Sequence, residues 1–191
     1  MRYRRAVRTV LMLLTAVLAA GCTTAVEGTP SAAPPAPLPV RPREVRLDGV
    51  DPCSLLTPEQ RTDLGFKNKP SSSKPYVELF RGEVPTCTMS SSSDDPTVLG
   101  IGLVTSVGVE RWVEGDLAAA TTPDHVEGFP ALVAKPRQSE AYCAVEVDVA
   151  RGQLLDVQFL DAGHQPPVQQ AELCFRARTA AEAAVETLLA R

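Results

Sequence analysis

Apolar and polar residues alternate most clearly from Tyr142 to Val149. There Cys143, Val145, Val147 and Val149 point one way, and Ala144, Glu146 and Asp148 the other. A period of two predicts a strand with one buried and one wet face. Arg151-Gly152 supplies a turn, and Leu155, Val157 and Phe159 form the inner face of a returning strand. Leu99, Ile101 and Leu103 alternate in the same way within Thr97–Thr105. A short strand is expected over Thr86–Ser90, joined to it by the polar loop Ser90–Pro96, and another over Pro130–Lys135. The serine clusters Ser71–Ser73 and Ser90–Ser93 read as flexible loops.

Helical signals lie between these strands. Thr57 and Gln60 stand at capping-box spacing, Pro58 suits a first helical position, and Gly65 fits the helix end. Val107 to about Ala120 predicts a helix carrying Trp112, weakened by Gly115. Val168–Leu189 predicts a long helix. Its inward stripe is read as Ala171, Cys174, Phe175, Arg178, Ala181, Val185, Leu188 and Leu189. The sum is an α+β domain over residues 46–191: an antiparallel sheet of about four to five strands, with helices packed on one face.

The first 45 residues have a different texture. Arg2, Arg4, Arg5 and Arg8 precede the apolar run Val10–Ala20. That run is too short to span a bilayer, which takes about 20 apolar residues, but it suits the core of a signal peptide over residues 1–21. Leu18-Ala19-Ala20-Gly21-Cys22 resembles a bacterial lipobox, with Ala19 where a bulky aliphatic is usual. Cleavage before Cys22 and acylation of its thiol are therefore expected. Residues 22–45 form a tether, with six prolines between Pro30 and Pro42. Proline removes backbone donors and favours extended chain, so the tether reaches at most roughly 70 Å. Its threonines and Ser31 are candidate O-glycosylation sites.

Composition and charge sharpen this picture. The 191 residues are 44% hydrophobic and 22% charged, which fits a globular domain and argues against wholesale disorder. Aromatics make up 5% and histidines number two, which argues against haem pockets, multi-histidine metal centres and base-stacking platforms. The full chain carries 19 basic and 23 acidic residues. Removing the four arginines of the leader leaves 15 against 23, a net of −8. Such a body repels nucleic acid and anionic head groups. Membrane attachment must then come from acyl chains on Cys22.

With Cys22 acylated, Cys53, Cys87, Cys143 and Cys174 remain. An even number in an exported chain points to two disulfides, with three connectivities open. No Cys-x-x-Cys spacing supports a metal site. The coarse fold brings the start of the Tyr142 strand near the start of the last helix, so Cys143–Cys174 can close. Elimination then leaves Cys53–Cys87.

Several segments together carry a family resemblance: Asp51-Pro52-Cys53-Ser54-Leu55-Leu56-Thr57, then Cys87, then Gly128-Phe129-Pro130-Ala131, then Cys143-Ala144-Val145-Glu146-Val147-Asp148-Val149 with Gly152-Gln153-Leu154-Leu155, and Cys174 ahead of an Ala-rich helix. The chain resembles the actinobacterial lipoproteins of domain-of-unknown-function family 3558 over most of residues 48–190. It departs at Met89, where such proteins often carry tryptophan. The resemblance implies an exported, lipid-anchored α+β domain without assigned chemistry. The layout is also similar to small two-disulfide sensor domains of mycobacterial receptor kinases, at the level of fold.

Motifs for catalysis are missing from the sequence. It holds no Gly-x-Ser-x-Gly, P-loop, dinucleotide-binding glycine pattern, His-Glu-x-x-His or calcium loop. His125 and His164 fall in expected loops, where solvent-facing side chains are the rule. Glu146, Asp148, Asp156 and Asp161 read as a solvated outer face of the sheet. Trp112 is the sole tryptophan, a packed side chain or the wall of a ligand groove. The expectation is a cell-envelope protein without enzymatic activity or cofactor that binds a lipid, glycan or protein. The alternatives are a sensory or regulatory partner of an envelope signalling system and, further off, an envelope hydrolase.

Overall fold

The computed structural model describes residues 38–92, 94–113 and 117–191. The expected leader, Cys22 and most of the tether lie outside them. Among the described residues no helix is long and apolar enough to cross a membrane.

Pro52–Ser54 forms a single 3-10 turn, capped by Asp51, whose carboxylate accepts the Cys53 N–H. Helix α1 (Pro58–Asp63) opens with a complete capping box. Thr57 accepts the Gln60 N–H, and the Gln60 side chain accepts the Thr57 N–H. Next come β1 (Ser71–Ser73), β2 (Tyr76–Val77), a 3-10 turn at Glu78–Phe80, β3 (Gly82–Glu83), β4 (Thr86–Ser90) and β5 (Thr97–Val104). A four-residue helix α2 (Glu110–Val113) precedes the meander β6 (Ala119–Val126), β7 (Phe129–Pro136), β8 (Tyr142–Ala150) and β9 (Gln153–Asp161). Helix α3 (Gln170–Leu189) ends the fold.

Seven strands make one antiparallel sheet in the order β1-β4-β5-β9-β8-β7-β6, while β2 and β3 pair separately. The expected four to five strands are too few, because both edges were missed. Ser71–Ser73 is not a loop; it pairs with Thr86–Thr88 as edge strand β1, wholly exposed and with no apolar face to announce it. At the other edge, β6 begins where a helix through Ala120 was expected. It contains Pro123, which an edge strand tolerates because only one side needs ladder donors.

Two layers cover this sheet. On the first face Leu99, Ile101, Leu103, Val145, Val147, Leu155, Val157 and Phe159 meet α3 and the Leu55–Phe66 region in one apolar cluster. The buried stripe of α3 is Leu173, Ala177, Ala180, Ala181, Ala184, Val185 and Leu188. The expected stripe was right at Ala181, Val185 and Leu188 and out of phase in the first half of the helix. Phe175 is 65% exposed, and Arg178 is turned to Asp124 and Glu182. Alanines let the helix axis approach the sheet, and this close approach decides the phase over the larger hydrophobicity of Phe175. Cys53 is bonded to Cys87 and Cys143 to Cys174, with Cα separations of 4.9 Å and 5.0 Å. Both bridges border this face.

The second face is not wet. Val104, Leu132, Ala134, Ala144 and Leu154 are covered by Phe80, Val84, Val109 and Trp112. Helical structure therefore packs on both faces rather than one, though α2 supplies only a single turn. Residues 38–45, read as tether, lie along the domain. Leu38 packs on the second-face cluster, Arg41 pairs with Asp148, and the Val45 N–H donates to the Val149 carbonyl at 2.8 Å.

Candidate functional site

Alternation along β8 and β9 puts Glu146 and Asp156 on the second face, and the register sets them directly opposite each other. Gly102 of β5 is the other neighbour of Asp156. A β-carbon at Gly102 would stand 3.1 Å from Val84 Cγ1 and 3.3 Å from Asp156 Oδ2, so glycine makes room for both the carboxyl and the layer above it. Phe80, Val84, Val109 and Trp112 close over the pair, with the Phe80 and Trp112 rings edge to face at 6.4 Å.

Glu146 is completely buried and Asp156 is 5% exposed. Asp156 Oδ2 accepts one hydrogen bond, from Gln158 Nε2 at 2.8 Å. Asp156 Oδ1, both Glu146 carboxyl oxygens and the Trp112 indole N–H have no hydrogen-bond partner. The indole N–H is near enough to favour ionised Glu146 without completing a hydrogen bond.

These surroundings dictate the protonation. Burial, followed by the Asp156 charge, pushes the Glu146 carboxyl well above the usual carboxylate range. Burial pushes Asp156 up to about 7, against the hydrogen bond from Gln158 and the closeness of Glu146, with which it can share a proton. The Tyr142 phenol is raised by burial and by the same two carboxyls. Two carboxyls in one dry site do not both ionise readily, and their titration belongs to the pair. The arrangement therefore keeps a proton at neutral pH.

Asp148, also on the second face, has an ionic solution instead. Arg41 Nη1 donates to both its oxygens at 2.6 Å. Burial still raises the Asp148 carboxyl, with Arg41 acting against it. The expected solvated patch does not exist: Glu146, Asp148 and Asp156 are buried. Asp161 points to the first face, where it accepts the N–H groups of Gly163, His164 and Val168. Strand alternation was read correctly in β8, but the layer above the second face carries no long periodic pattern to reveal it.

The other sequence candidates lie apart from this site. Trp112 is 8% exposed and packed, not open to solvent. His125 is on edge strand β6 rather than in a loop, and the carboxylate of its neighbour Asp124 is engaged by Arg178 at 3.0 Å. His164 is in a loop, with Nδ1 2.6 Å from the Pro166 carbonyl and Nε2 3.6 Å from Asp95. Neither histidine hydrogen-bonds to the acid pair. Among the described residues no group of three or more histidines, cysteines or carboxylates is gathered to hold a metal ion. An open groove of about 370 Å³ beside α3 is lined by Leu64, Asp95, Phe159, Phe175 and Arg176.

Sequence reasoning missed the pairing of Glu146 with Asp156. One signal for it was present: Leu99-Gly100-Ile101-Gly102-Leu103 places glycine at alternate positions of a strand, leaving one of its faces bare. Bare positions in a strand mark the close approach of something else.

Comparison with curated proteins gives no match, and comparison with solved structures gives none. Over residues 17–187 the chain matches the family model described as protein of unknown function (DUF3558). The match takes in every strand and nearly all of α3, and the chain belongs to the DUF3558 family.

Proposed function

We propose that this chain is an exported, lipid-anchored protein of the actinobacterial cell envelope, held by acyl chains on Cys22, whose domain binds an envelope lipid, glycan or protein and catalyses no reaction. The observation that carries export is the pair of disulfides, Cys53–Cys87 and Cys143–Cys174, which persist in oxidising compartments. The leader and lipobox add the anchor. Support for binding over catalysis comes from the acid pair, which is buried beneath the second layer rather than set in an open cleft. The groove at Phe175 offers an open surface with an aromatic rim.

The test is expression in an actinobacterial host fed a labelled fatty acid. The wild-type chain is expected to take up label and partition with membranes, and Cys22→Ser to do neither. A native pull-down with lipid extraction then reads the occupant. An unlabelled wild-type chain with free thiols defeats the proposal. A second reading, a sensory partner of an envelope signalling system, is favoured by the titratable pair buried under the sole tryptophan. Co-purification with a receptor kinase separates it from the first.

A further inference from the structure

The second face contains an arrangement that structural stability alone does not explain. Four polar atoms of Trp112, Glu146 and Asp156 are buried with no hydrogen-bond partner outside this group. A buried polar atom left unpaired is destabilising, and more so when charged. A leucine at either carboxyl position would avoid that cost, as Leu154 and Leu132 do on the same face. The layer above is thin: one turn at Glu78–Phe80, β3 and the four residues of α2.

We propose that Glu146 and Asp156 form a proton-operated switch: with a proton held between them the layer of Phe80, Val84, Val109 and Trp112 closes on the sheet, and loss of that proton loosens it.

In the closed state a second negative charge would have neither water nor a cation to meet it. From β5 the pair is faced by Gly102, with Gly100 and Val104 to either side, and from β9 by the Gln158 amide. From β7 it meets Leu132, and on β8 itself Tyr142 and Asp148 are the titratable neighbours. Arg41, on the chain before β1, is spent on Asp148, with Glu44 beside it. On α2, Glu110 adds negative charge towards Asp148, and Arg111 donates to the Leu79 carbonyl. Opening gives the carboxylates water, so the open layer releases protons that the closed layer keeps. The closed state's affinity for protons is the higher one. Opening must therefore become easier as pH rises from the ordinary carboxylate range to the pair's own, and level off above it.

The experiment is amide hydrogen exchange on the full processed chain as a function of pH, with rates divided by the intrinsic exchange rate. Residues 77–84 and 107–112 are compared with α3. Wild-type opening is expected to rise at least tenfold per pH unit between about pH 5 and 7, then to level above the pair's own range, and to run well ahead of α3, whose amides exchange only through global unfolding. Trp112 emission should follow the same curve, being the only tryptophan signal. The double variant E146Q/D156N is expected to show a flat profile in both measurements. Wild-type exchange that is flat over this range overturns the switch whatever the variant does. So does the same slope in the double variant, or opening of residues 77–84 and 107–112 that is no faster than that of α3.

Discussion

The two faces of the sheet solve the same problem with different chemistry. On the first, a twenty-residue helix lays alanines and leucines over valines and phenylalanines, with two disulfides at its border. On the second, short segments cover a smaller apolar patch that also contains two carboxyls without full partners. Burial alone does not tell these layers apart, since both exclude water. What differs is whether every buried group is satisfied. The first face is built to stay closed, and the second contains groups whose charge state depends on pH.

The largest effects should fall on the first face. Phe159 is fully buried, with Phe66 at 5.6 Å and the Arg176 guanidinium 5.7 Å over its ring. Phe159→Ala is expected to cost about 3–5 kcal/mol in denaturant unfolding. Opening the Cys143–Cys174 bridge by replacing both residues with serine should cost about 3–4 kcal/mol, from a sequence separation of 31 residues. A loss of that size in the second layer, with none here, would reverse the comparison.

On the second face the size of the effect should change with pH. The folded-state affinity of Glu146 and Asp156 for protons is raised, so their contribution is favourable at low pH. It fades as pH climbs from the ordinary carboxylate range towards about 7. E146Q/D156N should thus be more stable than wild type at about pH 8, by on the order of 2 kcal/mol, and the advantage should vanish near pH 4. Arg41→Ala leaves Asp148 buried without its cation and should cost about 1–2 kcal/mol at neutral pH, read by thermal unfolding. The smallest effect belongs to Phe175→Ala, within about 0.5 kcal/mol, because the side chain is exposed. A multi-kcal loss there would restore the helix phase expected from hydrophobicity.

Legibility in the sequence follows the same division. The strands whose residues alternate over a deep core, β5, β8 and β9, are readable to within a residue or two. So is the capping box of α1. The edges are not: β1 is three serines and β6 contains threonines, a proline and a histidine, so neither offers an apolar face. The phase of the first half of α3 was lost because hydrophobicity ranks Phe175 above Ala177, whereas packing distance ranks them the other way. The acid pair was hidden because alternation tells which residues share a face but not what covers it. A carboxylate on a strand reads as wet until a layer from distant segments is placed above it.

Carbon-detected NMR titration of the Glu146 and Asp156 carboxyls in the folded chain tests the central claim most directly. The account predicts that both titrate above the ordinary carboxylate range, with Asp156 near 7 and each curve bearing the imprint of the other. Two independent titrations at ordinary carboxylate values would contradict it. The second face would then be wet, and the contrast between the faces would disappear.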